Sequence, residues 1–149
     1  MVSKTTGTNI DSSPLYTTDT LYVDWAVINN GSSNINTTFY TKLYIDGSYK
    51  SSWNTSSLNV NWYASVTDYP IGQLSAGAHT IKIVTDETGV ITESNESDNE
   101  YSKTITVKPT ECIDAYEPND SSLQAYGPLT SGSSYGGKIC SSTDVDWFK

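Results

Sequence analysis

Arginine is absent from this 149-residue chain, and histidine occurs once. All 8 basic residues are lysine, set against 17 carboxylates, for a formal net charge of -9. Nucleic-acid binders need a basic patch to neutralise phosphate, so this balance excludes that partner class. The same shortage argues against anionic membrane surfaces. It also leaves little material for acid–base or phosphoryl chemistry, which weighs against an enzyme. No apolar run approaches the length of a membrane span, so no membrane insertion is expected. Runs of Ala, Leu, Glu and Lys are missing too, which weighs against helices. Met1-Val2-Ser3-Lys4 leads into polar residues, without the apolar stretch of a secretory leader. The chain therefore reads as intracellular or as an internal piece of something larger, and its far end favours the second.

What is present is aromatic and polar: 11 Tyr and 4 Trp in a background of Ser, Thr and Asn. That suffices for a packed core and favours strands and turns. Leu21, Val23, Trp25 and Val27 share one face of an alternating run that Asn29-Asn30-Gly31 stops. Phe39, Thr41, Leu43 and Ile45 alternate with Tyr40, Lys42 and Tyr44. Asp46-Gly47 then predicts a hairpin, because both residues tolerate positive φ. Tyr49 to Trp53 is the expected return strand. Leu58, Val60, Trp62, Ala64 and Val66 form the next alternating run, with Pro70-Ile71-Gly72 as its break. His79, Ile81 and Ile83 follow a turn at Ser75-Ala76-Gly77, Val90 to Glu93 reads as a short strand, and Tyr101, Lys103, Ile105 and Val107 close the series. About seven short strands at roughly ten-residue spacing predict an all-β, antiparallel sandwich of immunoglobulin type.

Three stretches carry a family resemblance: Leu43-Tyr44-Ile45-Asp46-Gly47, Leu74-Ser75-Ala76-Gly77-Ala78-His79-Thr80-Ile81, and Glu93-Ser94-Asn95-Glu96-Ser97-Asp98-Asn99 followed by Thr104-Ile105-Thr106-Val107. Together they resemble CARDB, the cell-adhesion-related domain found in bacteria. The resemblance implies a non-catalytic extracellular sandwich, often repeated in large secreted or surface proteins. It covers residues 15–108, leaving residues 1–14 as an N-terminal extension and 109–113 as a linker.

Residues 114–149 have a different texture. Asp114, Tyr116, Glu117, Pro118, Asn119 and Asp120, then Asp144, Asp146, Trp147 and Phe148, resemble the opening of a bacterial pre-peptidase C-terminal (PPC) domain. That family includes modules similar to the collagen-binding domains of secreted clostridial collagenases. It implies the start of a second, jelly-roll-like sandwich, incomplete because the family continues beyond the Trp-Phe strand. An open half-sandwich would expose an edge. The segment is expected to be poorly ordered, packed on the first domain, or completed by another copy.

Calcium is the cofactor to weigh at this second segment. The ion takes about six to eight oxygen ligands. Glu117, Asn119 and Asp120 supply three within four residues, Asp144 and Asp146 could close the shell, and the resemblance adds Asp114. The plainer reading is a solvated polar turn. A second, weaker metal candidate is Asp86, Glu93, Glu96, Asp98 and Asn99, with Glu87 beside them. Their spacing lacks the alternate acids and central glycine of an EF-hand loop, so a solvated loop competes with a cation site. Cys112 and Cys140 suggest one disulfide closing a loop of 28 residues, worth roughly 3–4 kcal/mol. Two free thiols are the alternative, and zinc lacks ligands. Tyr22, Tyr40, Tyr44 and Tyr63 sit on predicted outer faces, where flat rings could stack on sugars or pair across strands. His79 could be imagined as a base beside one of many serines, but its place at a strand start reads as structural. The five Asn-x-Ser/Thr sequons carry little weight in so Asn- and Ser-rich a chain.

The expected role is a non-catalytic adhesion or spacer module, secreted or at the cell surface. Its expected partners are an extracellular polymer, polysaccharide or protein surface, neighbouring modules of the same polypeptide, and further copies of itself. The alternatives are a carbohydrate-binding module attached to a secreted enzyme, or a fibre subunit assembling by strand exchange.

Overall fold

The computed structural model describes residues 1–110, 115–116, 118–139 and 145–149. The chain divides into two compact units, Met1–Pro109 and Thr110–Lys149. No helix occurs among the described residues.

The first unit is a sandwich of eight strands: β1 (Val2–Ser3), β2 (Leu15–Tyr16), β3 (Leu21–Ile28), β4 (Phe39–Ile45), β5 (Ser48–Thr55), β6 (Tyr63–Gly72), β7 (Gly77–Thr85) and β8 (Glu100–Lys108). One sheet has the order β1-β3-β6, the other β2-β8-β7-β4-β5. The chain crosses between sheets after β1, β2, β3, β5 and β6, as in Greek-key immunoglobulin-type folds. Every pairing is antiparallel except β2 with β8, where Leu15 opposes Val107 in parallel.

Alternation places the core. Leu21, Val23 and Trp25 on β3 face Leu43 and Ile45 on β4, Ile81 on β7, and Ile105 and Val107 on β8 in one buried cluster. Each fully buried aliphatic side chain contributes about 1.5–3 kcal/mol relative to exposure. Trp53 on β5 reaches across to the other sheet. Its ring centroid lies 5.2 Å from that of Trp25 and 4.8 Å, edge-on, from that of Tyr69. The predicted hairpin forms at Asp46-Gly47, with φ of 51° and 76° and Ile45 opposite Ser48.

Four expectations from the sequence need correction. Residues 1–14 are no mere extension: Val2 pairs with Val23 and joins the core at 2% exposure. The run from Leu58 is not one strand. Asn61 adopts a left-handed φ of 63°, Trp62 N–H donates to Asn59 O, and the alternation is reset so that Trp62 points outward at 64% exposure. Pro70 does not break β6, which runs on to Gly72, because β6 is an edge strand and an edge tolerates a residue without an N–H. Val90–Glu93 is loop, organised by Asp86 as described below.

In the second unit Asn119 is fully buried and Ala125 is buried. The Tyr116 ring sits 4.6 Å from Tyr126, 5.9 Å from Tyr135 and 5.8 Å from Phe148. Tyr126 and Phe148 form a parallel bridge, and Trp147 N–H donates to Asn119 O at 3.0 Å. Glycine is required at 127, where a Cβ would overlap the Lys149 carbonyl.

Candidate functional site

His79, buried at the start of β7, is the residue closest to a catalytic constellation. Its Nδ1 lies 2.7 Å from Asp46 Oδ2, and its Nε2 lies 2.8 Å from the Ser75 carbonyl and 3.4 Å from Ser75 Oγ. The arrangement superficially matches a Ser-His-Asp triad, but the chemistry differs. A base must present a lone pair to the hydroxyl. Here Nδ1 faces a carboxylate oxygen and Nε2 a main-chain carbonyl, so the protonated ring can donate from both nitrogens and no lone pair is turned to the Ser75 hydroxyl. The ring's pKa is raised, first by the Asp46 hydrogen bond and then by the Ser75 carbonyl, against a smaller opposing effect of burial. Asp46 is held below the usual carboxylate range by His79 and by the Thr80 N–H. The pair ties the β4–β5 hairpin to β7.

A pH dependence follows. The raised His79 pKa contributes stability that is complete below the ordinary value of 6.5 and is lost as pH rises through the folded value. The lowered Asp46 pKa contributes stability that is complete above 3.8 and is lost as pH falls through its folded value. Thermal melts are expected to show a plateau between those ordinary values and a decline on the alkaline side. A His79→Leu variant should lose that alkaline decline. A wild-type midpoint unchanged from pH 6 to 8.5 would refute the pair.

The acidic loop between β7 and β8 brings its residues only partly together. Asp86, 5% exposed, spends both carboxylate oxygens on the N–H groups of Val90 and Ile91, while its carbonyl accepts from Gly89. Glu93 accepts from Asn99 Nδ2 at 2.6 Å, and Glu96 from the Glu93 N–H. Asp98 is exposed. Glu87 instead serves the outer face of β4, accepting from Lys42 and from the Tyr44 hydroxyl at 2.8 Å. The Lys42 hydrogen bond first, and then that of Tyr44, lowers the Glu87 pKa, while the bond to Glu87 raises that of Tyr44. Among the described residues no three His, Cys, Asp or Glu side chains stand close enough to hold a metal ion. Of the other metal candidates, Asn119 is buried, Asp120 exposed and Asp146 half-buried. Asp114, Glu117 and Asp144 lie outside the described residues, as do both cysteines of the expected disulfide, Cys112 and Cys140.

The four tyrosines do not share one surface. Tyr40 and Tyr44 lie on β4, with the Tyr44 ring 6.0 Å from Tyr49 and edge-on to it. Tyr22 and Tyr63 lie on the other sheet, towards opposite ends of β3: Tyr22 opposes Pro70, and Tyr63 opposes Ile28. Sequence reasoning missed Trp62, which stands exposed next to Tyr63. The signal was available in Asn59 and Asn61, both turn formers inside an apparently alternating run.

The CARDB family profile matches residues 5–103. A CARDB domain from Pyrococcus furiosus, crystallised in complex with di-metal ions, is 22% identical. Its match covers 58% of this chain and 76% of that one, with a TM-score of 0.53. The solution structure of a Pyrococcus furiosus CARDB domain matches at 25% identity over 57% of this chain and 76% of that one, with a TM-score of 0.51. A domain of a Methanosarcina acetivorans protein assigned to the cell surface matches at 20% identity. It covers 64% of this chain and 84% of that one, with a TM-score of 0.50. No curated protein matches significantly. Over two β-sheets with this order and register, and over most of its first unit, the chain belongs to the CARDB family.

Proposed function

We propose that this chain is a non-catalytic module of a larger secreted or cell-surface protein, acting as a spacer or adhesion element. The observation that carries the reading is His79: both ring nitrogens of the one histidine face oxygen acceptors of the hairpin and turn beside it. The CARDB membership and the cell-surface assignment of a related domain support it. Its partners would be an extracellular polymer, a polysaccharide or a protein surface, together with neighbouring modules. Residues 114–149 would open a PPC-type domain. There calcium would be held by Asp114, Glu117, Asn119, Asp120, Asp144 and Asp146, and would supply structural cross-linking of the segment. The fully buried Asn119 fits such a role better than a solvated turn does. A related CARDB domain holds metal ions, which keeps the Asp86–Asn99 loop as the alternative location.

A thermal melt with calcium and then with excess chelator tests the cation. An ion that binds only the folded state raises stability by about 2.7 kcal/mol at roughly a hundred times its dissociation constant. The expected shift is lost on Asp120→Ala and kept on Asp98→Ala. Loss only on Asp98→Ala would move the ion to the first unit, and no shift at millimolar calcium would reject it. The carbohydrate-binding reading rests on one observation, the adjacent Trp62 and Tyr63 at 64% and 67% exposure beside Ile28.

A further inference from the structure

The sandwich is open along one side. β1 covers β3 only at Tyr22 and Val23, with Met1 and Asp24 exchanging the last contacts: the Asp24 N–H donates to Met1 O, and the Met1 ammonium to Asp24 O. Strand alternation puts the N–H and C=O of Ala26 and Ile28 on that same edge, where no described strand pairs with them. Across the gap β2 pairs β8 only at Val107 and Lys108, so the first half of β8 is likewise uncovered on that side.

Between these two edges lies a cleft of about 850 Å³. Its floor is core-facing apolar surface from both sheets: Trp25, Val27, Ile83 and Tyr101 all line it. Tyr101 opposes Ile83 on the inward face of its sheet, yet is 65% exposed, because no described strand lies over it. Trp25 is 8% exposed, and its buried Nε1–H finds no acceptor among the described residues. Around the cleft stand Asp24, Glu93, Asp98 and Glu100, of which Glu100 is ion-paired with Lys82 and Asp24 accepts from the Asp68 N–H. The one lysine there, Lys103, is already paired with Asp11.

We propose that this cleft receives an extended strand from another polypeptide, apolar at alternate positions and lysine-bearing at the others. The strand would run antiparallel to β3, extend the register of β1, and bond Ala26 and Ile28. Its apolar side chains would cover Trp25, Val27 and Tyr101. Main-chain bonds at a free sheet edge supply affinity, while alternate side chains supply specificity. The acidic rim selects a basic strand and disfavours a second copy of this chain, whose net charge is -9. The inference builds on the reading as a binding module and names its partner class.

The test is titration of the full chain with a seven-residue peptide alternating lysine and valine, followed by tryptophan fluorescence and amide hydrogen exchange. Binding is expected to slow exchange at Ala26 and Ile28, and tenfold more salt should weaken it. Ala26→Pro removes an edge donor without touching the β6 ladder. Tyr101→Lys places a cation in the cleft at an exposed position. Each should weaken binding at least tenfold with an unchanged melting temperature. A peptide methylated on alternate backbone nitrogens should not bind. Absence of binding, binding that survives Ala26→Pro, or equal binding of the glutamate-for-lysine peptide would overturn the proposal. Concentration-dependent dimerisation that protects Ala26 and Ile28 would overturn it in favour of a second copy. Because the calcium shift is expected to turn on Asp120 and peptide binding on Ala26 and Tyr101, either result can fail without the other.

Discussion

Replacing Leu43 by alanine is expected to destabilise the first unit by about 3 kcal/mol, within the range for buried Leu→Ala changes. Leu43 is 0% exposed at the middle of β4, opposite Ile83 on one neighbour and Ser51 on the other. Its side chain packs in the cluster that includes Leu21, Val23 and Ile81, so the lost methyl groups leave a cavity lined from both sheets. Strand backbones held by ladders on both sides relax little, and the cavity cost adds to the lost transfer free energy. For a unit of this size the midpoint should fall by roughly 10–20 °C. Guanidinium unfolding should show a lower midpoint with an unchanged slope. Ile10→Ala is the control: Ile10 is 70% exposed, and its removal should change stability by less than about 0.5 kcal/mol. Equal effects of the two substitutions would mean that the core is not where alternation places it.

Much of the fold was legible because alternation and burial coincide. Val23, Trp25, Leu43, Ile81, Ile105 and Val107 were each assigned to an inner face by period two, and each is buried. Asp46-Gly47 was legible for a different reason: a two-residue hairpin demands positive φ at both positions, and few residue pairs accept it. What failed was local punctuation. Proline at 70 stops a central strand but not an edge strand, and edge position is a tertiary fact. Asn61 breaks a pattern that apolar spacing alone would continue. Val2 and Ser3 are too short a strand for any periodicity to register, yet Val2 is core.

The candidate site was less legible. Six acidic or amide residues in one loop look like a cation shell, but Asp86 turns inward to hold backbone N–H groups. Competition between backbone and ligand for carboxylate oxygens leaves no trace in sequence. The open cleft was equally invisible, since it arises where two edge strands fail to meet. An inward position such as Tyr101 reads as core until its neighbours are placed.

Trp53 gives the second large effect, because it joins the two sheets rather than filling one. It sits on β5, an edge strand, and its ring meets Trp25 of β3 and Tyr69 of β6. Trp53→Ala removes both ring contacts and the area they bury, and about 3 kcal/mol of stability should be lost. The aromatic geometry itself accounts for roughly 0.5–1.5 kcal/mol per pair beyond area. Trp53→Phe should therefore recover most of the stability, and a double-mutant cycle with Tyr69→Leu should return a coupling in that range. Trp53 packs against the Trp25 that floors the cleft, so Trp53→Ala should also weaken the lysine–valine peptide, at a temperature well below the variant's own midpoint. Undiminished peptide affinity in a destabilised Trp53→Ala chain would show that the cleft does not depend on this inter-sheet contact, and that β3 alone presents it.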